Sequence, residues 1–206
     1  MSKPKDNNLP KRYKIVLLGD TGVGKTSIFN RYCKNKFESN YNSTIGVDFE
    51  VKKIEYKKKD YSIEIFDTAG QERFQSIIDS YFRMGQGFFV IFDLTNKHSL
   101  DSLPKWIKKI KEKIEEPKYI ILGNKDDLKN DKLKDNEILE VLNTIENFSI
   151  KYYYKVSAKE KQNINNVFDI MINFLEKDNL YEEDKTTFVI RKTRNDNKNL
   201  KGKRCC

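Results

Sequence analysis

The segment "YKIVLLGDTGVGKTSIFNRYC", residues 13–33, changes character twice within a few residues. An apolar run at 13–18 reads as a strand, a glycine-rich turn follows, and Ile28, Phe29, Tyr32 and Cys33 then share one helical face. Within the turn, Gly19, Gly24, Lys25 and Thr26 satisfy G-x-x-x-x-G-K-[ST]. Backbone N–H groups in such a loop wrap a polyphosphate, and the following helix offers its positive N-terminus. Glycine is expected there because a Cβ would strike the phosphate or forbid the dihedrals. The expected phosphate contacts are Gly19, Asp20, Thr21, Gly22, Val23, Gly24, Lys25, Thr26 and Ser27, and the Thr26 hydroxyl suits Mg²⁺.

Outward from this segment, short apolar runs alternate with helix-period stretches, the pattern of an α/β sheet. The runs are "YSIEIF" at 61–66, "GFFVIF" at 87–92, "YIIL" at 119–122 and "IKYYYKV" at 150–156. Helical faces are expected through Leu103, Trp106, Ile110 and Ile114, through Ile138, Leu142 and Ile145, and through Ile164, Val167, Phe168, Met171 and Leu175. "DFEVKKIEYKKKDYSIEIF" reads as a hairpin turning at Lys58–Asp60, which adds one antiparallel edge strand. The expected fold is a single P-loop nucleotide-binding domain with a mixed, mostly parallel six-stranded sheet and about five helices. It occupies residues 13–176, between a basic N-terminal extension at 1–12 and a flexible basic tail at 177–206.

Each strand ends in a polar token: "GDTG", "DTAGQE", "DLT", "GNKDD" and "SAK". In open α/β sheets, ligands bind beyond the carboxyl ends of the strands. Asp67 at such an end can hold a Mg²⁺-bound water, Gly70 can turn its N–H toward a γ-phosphate, and Gln71 can orient an attacking water. Asp127 can accept two hydrogen bonds from the N1–H and N2–H₂ of guanine; adenine has no such donor pair and would leave the charge unpaired. Asn124 and Lys125 would flank the ring, and the Ala158 N–H would meet the guanine O6, with Ser157 and Lys159 beside it.

Taken in order and spacing, these motifs resemble the Ras superfamily of small GTPases. "STIGVDF", "DTAGQERF" and the double cysteine Cys205–Cys206 look like its Rab branch, over roughly residues 12–176. The resemblance implies GTP hydrolysis with Gln71, Lys25 and Gly70 as catalytic groups, slow unless an activating protein assists, and Mg²⁺ held by Thr26, Thr44 and, through water, Asp67. It further implies Phe37 against the guanine edge and an effector surface of Ile45, Gly46, Val47, Asp48, Phe49, Phe66 and Tyr81. Partners implied are an exchange factor, an activating protein, a GDP-dissociation inhibitor or escort protein, and effectors in vesicle traffic. The site would lie on the cytoplasmic face of an intracellular membrane, with the chain cycling through cytosol as a monomer. Two departures fall on the expected effector surface: Phe66 where Rabs usually carry Trp, and "YFRMGQG" for "YYRGAxG". Thr21 stands where Ras itself has glycine, and its branched side chain is expected to crowd Gln71 and slow hydrolysis.

Composition narrows the alternatives. The net charge of +9 resides in the ends. Residues 1–12 carry four basic residues against Asp6, and residues 191–206 carry seven against Asp196. Residues 13–190 are formally neutral, so no basic face for nucleic acid is expected. One histidine and no C-x-x-C pair argue against zinc and against histidine catalysis. No apolar run is long enough to span a bilayer, no secretory leader is evident, and Ser2 excludes myristoylation. A cytosolic, reducing setting is expected. "RCC" is no C-a-a-X box; the Rab resemblance implies geranylgeranyl groups on Cys205 and Cys206, two chains giving the stable anchoring that one does not. Two rivals remain at this point. A nucleoside monophosphate kinase would leave "NKDD" and "SAK" unexplained, whereas a GTP-binding scaffold without hydrolysis would leave Gln71 without a task.

Overall fold

The computed structural model describes residues 10–39, 44, 46–68, 75–130, 132–147 and 149–176. Six strands form one sheet: β1 (Lys11–Leu18), β2 (Val47–Tyr56), β3 (Lys59–Thr68), β4 (Gly87–Asp93), β5 (Lys118–Asn124) and β6 (Tyr153–Lys155), in the order β2-β3-β1-β4-β5-β6. Only β2 runs antiparallel to its neighbour. The helices are α1 (Lys25–Lys34), α2 (Gln75–Met84), α3 (Lys97–Asp101), α4 (Leu103–Lys111), α5 (Asp135–Asn143) and α6 (Ile164–Glu176). Helices α3 and α4 are separated by Ser102 alone, where Pro104, lacking an N–H, starts a new helix. Counted as one interrupted helix, they make the expected five.

Burial of the central strands on both faces explains their unbroken apolar sequence. In β4 all seven residues are buried, and their side chains alternate. Phe89 and Ile91 face α1 and α6, packing with Phe29, Val167, Phe168 and Met171. Phe88, Val90 and Phe92 face the other layer, with Phe82, Leu100, Trp106, Ile110, Ile138 and Leu142. The sheet thus separates two hydrophobic layers, and every parallel strand delivers its carboxyl end to the same edge.

Two local expectations need correction. The hairpin turns at Lys57–Lys58, not Lys58–Asp60: Tyr56 pairs with Lys59 and Glu55 with Asp60, so Asp60 lies inside β3. That register puts Ile54, Tyr56 and Tyr61 against the α1–α6 layer; a one-residue slip would expose them. The run at 150–156 is only partly strand. Ile150–Tyr152 form a 3₁₀ turn with Ile150 exposed, and Tyr153–Lys155 alone pair with Ile121–Gly123.

Phe168 is the keystone of the α6 layer. It is fully buried, stacks on Tyr32 of α1 with ring centroids 3.6 Å apart, and meets Phe89 edge-on at 4.9 Å. Phe168→Ala should lower stability by about 3–5 kcal/mol, read as a shifted urea midpoint. A loss below about 1 kcal/mol would show that the layer closes without it.

Candidate functional site

The loop between β1 and α1 is shaped by glycines at positive φ: Gly19 at 141°, Gly22 at 80° and Gly24 at 94°. Protein backbone and side chains set part of that requirement. A Cβ on Gly19 would lie 2.2 Å from the Ile91 carbonyl oxygen of β4, and one on Gly24 would lie 2.3 Å from the Asn124 amide nitrogen. Only Gly22 has open space and needs glycine for its dihedrals alone. Helix α1 starts at Gly24 with no side-chain cap and no acidic residue in its first turn. Its positive end is therefore available to an anion. Lys25, buried, donates from Nζ to the carbonyls of Gly19 (2.8 Å) and Asp20 (2.7 Å). Burial lowers its pKa to about 8, against the opposing pull of Asp67 and Asp20.

Three oxygen-bearing side chains converge beside Lys25. The Thr26 hydroxyl donates to Asp67 Oδ2 at 2.6 Å and lies 2.7 Å from the Thr44 hydroxyl. Asp67 is fully buried, and among the described residues its Oδ1 has no hydrogen-bond partner. Burial raises its pKa to about 6, with the Thr26 hydrogen bond and the Lys25 charge pulling the other way. An orphaned carboxylate oxygen beside two hydroxyls is a donor set suited to a hard cation such as Mg²⁺.

The base end is built from the ends of β5 and β6. Asp127 accepts a 2.6 Å hydrogen bond from the Ser157 hydroxyl, and Lys159 Nζ lies 4.0 Å from its other oxygen. Ser157 also accepts the Glu160 N–H at 3.0 Å, which fixes its hydroxyl to point at Asp127. The Asn124 amide is turned toward protein. It donates to the Val23 carbonyl at 2.9 Å and accepts the Ala158 N–H at 3.3 Å, tying the phosphate loop to the 157–159 loop. Lys125, at φ 66°, reaches Asp93 at 2.6 Å. Phe37 is exposed beside this end, with the Arg31 guanidinium 5.9 Å from its ring centre.

Of the remaining expected residues, Gly70, Gln71, Ile45, Cys205 and Cys206 lie outside the described residues, so the proposed crowding of Gln71 by Thr21 does too. Thr21 itself is exposed in the loop, and Asp20 and Ser27 are part-exposed beside it. Past Gly46 (φ 80°) and the part-buried Val47, Asp48 and Phe49 are exposed on β2. Phe49 stacks on Phe66 at 5.8 Å, and Phe66 meets Tyr81 at 5.1 Å; of the three rings Phe49 is exposed and Tyr81 part-exposed, whereas Phe66, expected on the surface, is buried beneath them in the core.

Sequence reading missed the residues that hold these groups in place. Asp93 sits in the "DLT" token, which marks its position but not its hold on Lys125. Asp20 accepts from the Trp106 indole N–H at 2.8 Å, which couples the phosphate loop to α4. Arg31 donates to the carbonyls of Ala158 (2.8 Å) and Lys159 (2.9 Å) from across the sheet edge. None has a local signal, because each partner lies 32 or more residues away in sequence. Removing the hydroxyl that aims Asp127 tests the base end. Ser157→Ala should weaken GDP affinity by roughly 10- to 100-fold, measured by displacement of a fluorescent nucleotide, and an unchanged affinity would deny Ser157 that role.

Comparison with known proteins places the chain in a family. The pattern of the Ras family matches residues 14–177. The chain is 38% identical over 157 residues to "Ras-related protein Rab-10" of Caenorhabditis elegans, covering 76% of this chain and 77% of that protein. It is 38% identical to "Ras-related protein Rab-8A" of Pongo abelii and 37% identical to "Ras-related protein Rab-8B" of Bos taurus. Each of these alignments covers 76% of this chain and 74% of the relative. Ras-family GTPases bind GTP and GDP. The chain belongs to the Ras family and is a Rab-like small GTPase.

Proposed function

We propose that this GTPase is a membrane-anchored switch in vesicle trafficking, loaded with GTP or GDP and Mg²⁺ and read by effectors through the face carrying Phe49, Phe66 and Tyr81. The observation that carries this reading is the Thr44–Thr26–Asp67 cluster. It joins the phosphate loop to the segment leading into β2, so the state of the phosphates bears directly on the exposed Phe49 and the rings packed under it.

The chain's own groups divide the work. The N–H groups of residues 19–24 and the Lys25 ammonium bind the polyphosphate and neutralise charge that spreads during transfer. Thr26, Thr44 and Asp67 would hold Mg²⁺, directly or through water. Bound there, the cation would supply positive charge to offset that of the phosphates. Gln71 would orient the water for in-line attack and Gly70 would offer its N–H to the γ-phosphate; both roles rest on the match to the family. Asp127, aimed by Ser157, selects guanine. Hydrolysis is slow without an activating protein, a property that follows from the match to the family. An exchange factor, a dissociation inhibitor or escort protein and effectors complete the cycle at the cytoplasmic face of an intracellular membrane. No described helix is long and apolar enough to cross a membrane. Attachment is assigned instead to geranylgeranyl groups on Cys205 and Cys206, with residues 177–204 as the tether.

Three measurements test this reading. Chromatography of the nucleotide released on denaturing the purified chain should give GDP; an adenine nucleotide would overturn the role of Asp127. Gln71→Leu should leave GTP in the released fraction and abolish acceleration by an activating protein, whereas undiminished phosphate release would remove Gln71 from the mechanism. For the anchor, Cys205→Ser with Cys206→Ser should move the chain from the membrane pellet to the supernatant, and continued sedimentation would refute lipid attachment at that pair.

A further inference from the structure

The sheet edge opposite the nucleotide site carries its own chemistry. There β1 and β3 begin and β2 ends. The pairing register places Arg12 and Lys53 on either side of Ser62, on one face of the sheet. They stand two strand spacings apart, about 10 Å. Beyond them the two-residue turn consists of Lys57 (φ 50°) and Lys58 (φ 61°). Turns of this shape favour Asn-Gly, and each non-glycine residue held left-handed carries a steric cost. Charge occupies the tip despite that cost. On the other face of the sheet, Glu176, the last residue of α6, accepts from Lys11 Nζ (2.7 Å) and the Tyr13 hydroxyl (2.8 Å), with Lys59 Nζ at 3.5 Å. Burial works against the Glu176 charge but is outweighed by these partners, and its pKa falls to about 2. Helix α6 therefore hands the chain on to residues 177–206, with their seven basic residues after 190, at this same edge.

We propose that this edge is a docking surface for an anionic lipid bilayer, with Arg12, Lys53 and Lys58 against the headgroups, while Lys57 donates to Asn173 Oδ1 of α6 at 3.3 Å and ties the turn to that helix. The nucleotide edge, with Phe49 beside it, then points away from the membrane. The proposal deepens the anchoring reading and rests on it, because the lipid-bearing pair is reached from Glu176. A rival account makes these lysines guards of an edge strand against unwanted pairing. That accounts for Lys53, and for Arg12, which lies before β1 gains its β4 partner, but not for Lys58 held left-handed at the tip of the turn. At the hairpin the exposed carboxylates, Glu55 and Asp60, lie opposite one another in the pairing and are outnumbered by the basic residues beside them, while Glu115 and Glu116 are exposed farther along the edge, ahead of β5.

The test uses the full chain without lipid, so that its outcome is separate from that of the double-serine experiment. Arg12, Lys53 and Lys58 have no ion-pair partner among the described residues, so Arg12→Gln, Lys53→Gln and Lys58→Gln can be combined without cutting a structural contact. Partition is measured by flotation with phosphatidylcholine vesicles, with and without phosphatidylserine, in 0.1 M salt. Each basic residue near such a surface contributes about 5-fold, so the triple variant should lose on the order of 100-fold on phosphatidylserine vesicles. GDP retention and the thermal midpoint should be unchanged. Equal partition of the two chains, whether both bind or neither does, overturns the proposal. So does a loss confined to variants of the tail lysines, or a loss of binding to RNA with none to vesicles.

Discussion

The buried amide of Asn124 is the joint on which the nucleotide site depends. One side chain at the end of β5 donates to Val23 in the phosphate loop and accepts from Ala158 in the loop after β6. Three loops from three strands are thereby held in one register. The same contact dictates Gly24, since any Cβ there would collide with the Asn124 amide nitrogen. A loop that binds phosphate and a loop that reads a base are separate problems in sequence. In the folded chain they share a hydrogen-bonded residue, so displacement of one is felt by the other. Arg31 adds a second strut, from α1 to the carbonyls of Ala158 and Lys159.

The reactive end is built with less redundancy. Asp67 is held by a single hydrogen bond from Thr26, with its second oxygen buried and unpartnered among the described residues. A buried carboxylate in that condition is costly, as its raised pKa reports. Such a group favours a state in which a cation or a donor completes it. Thr44 approaches the same point from the far side through Thr26. Energy stored in an incomplete donor set is thus available to draw in the segment that leads to β2 and the exposed Phe49, which is how a local charge change becomes a change of surface.

The fold was legible because its signals are local. The 13–33 segment specifies strand, loop and helix in succession, and the fully buried β4 reads as an unbroken apolar run. The guanine and phosphate motifs were legible for a similar reason, since each is a short string at a strand end. Less was legible where pairing decides. The hairpin turn was misplaced because "YKKKD" holds neither glycine nor asparagine, and the register is set by Ile54, Tyr56 and Tyr61 facing the core rather than by turn residues. The 150–156 run looked like a long strand, but β5 offers partners only to Tyr153–Lys155. Asp93, Arg31 and Trp106 were not legible as parts of the site, because their tasks exist only across long sequence separations.

The two edges of the sheet obey different rules, and that contrast carries information. At the carboxyl edge, several departures from helix and turn preferences are matched by contacts: Lys125 at positive φ is held by Asp93, and Gly19 and Gly24 sit against close neighbours. At the opposite edge, Lys58 at positive φ has no described partner to offset it. Local preference gives way, in a foldable sequence, where something outside the fold supplies the compensation. The nucleotide edge receives it from a ligand. For a lysine-tipped hairpin beside the exit of α6, a negatively charged surface is the compensation that the charges themselves specify.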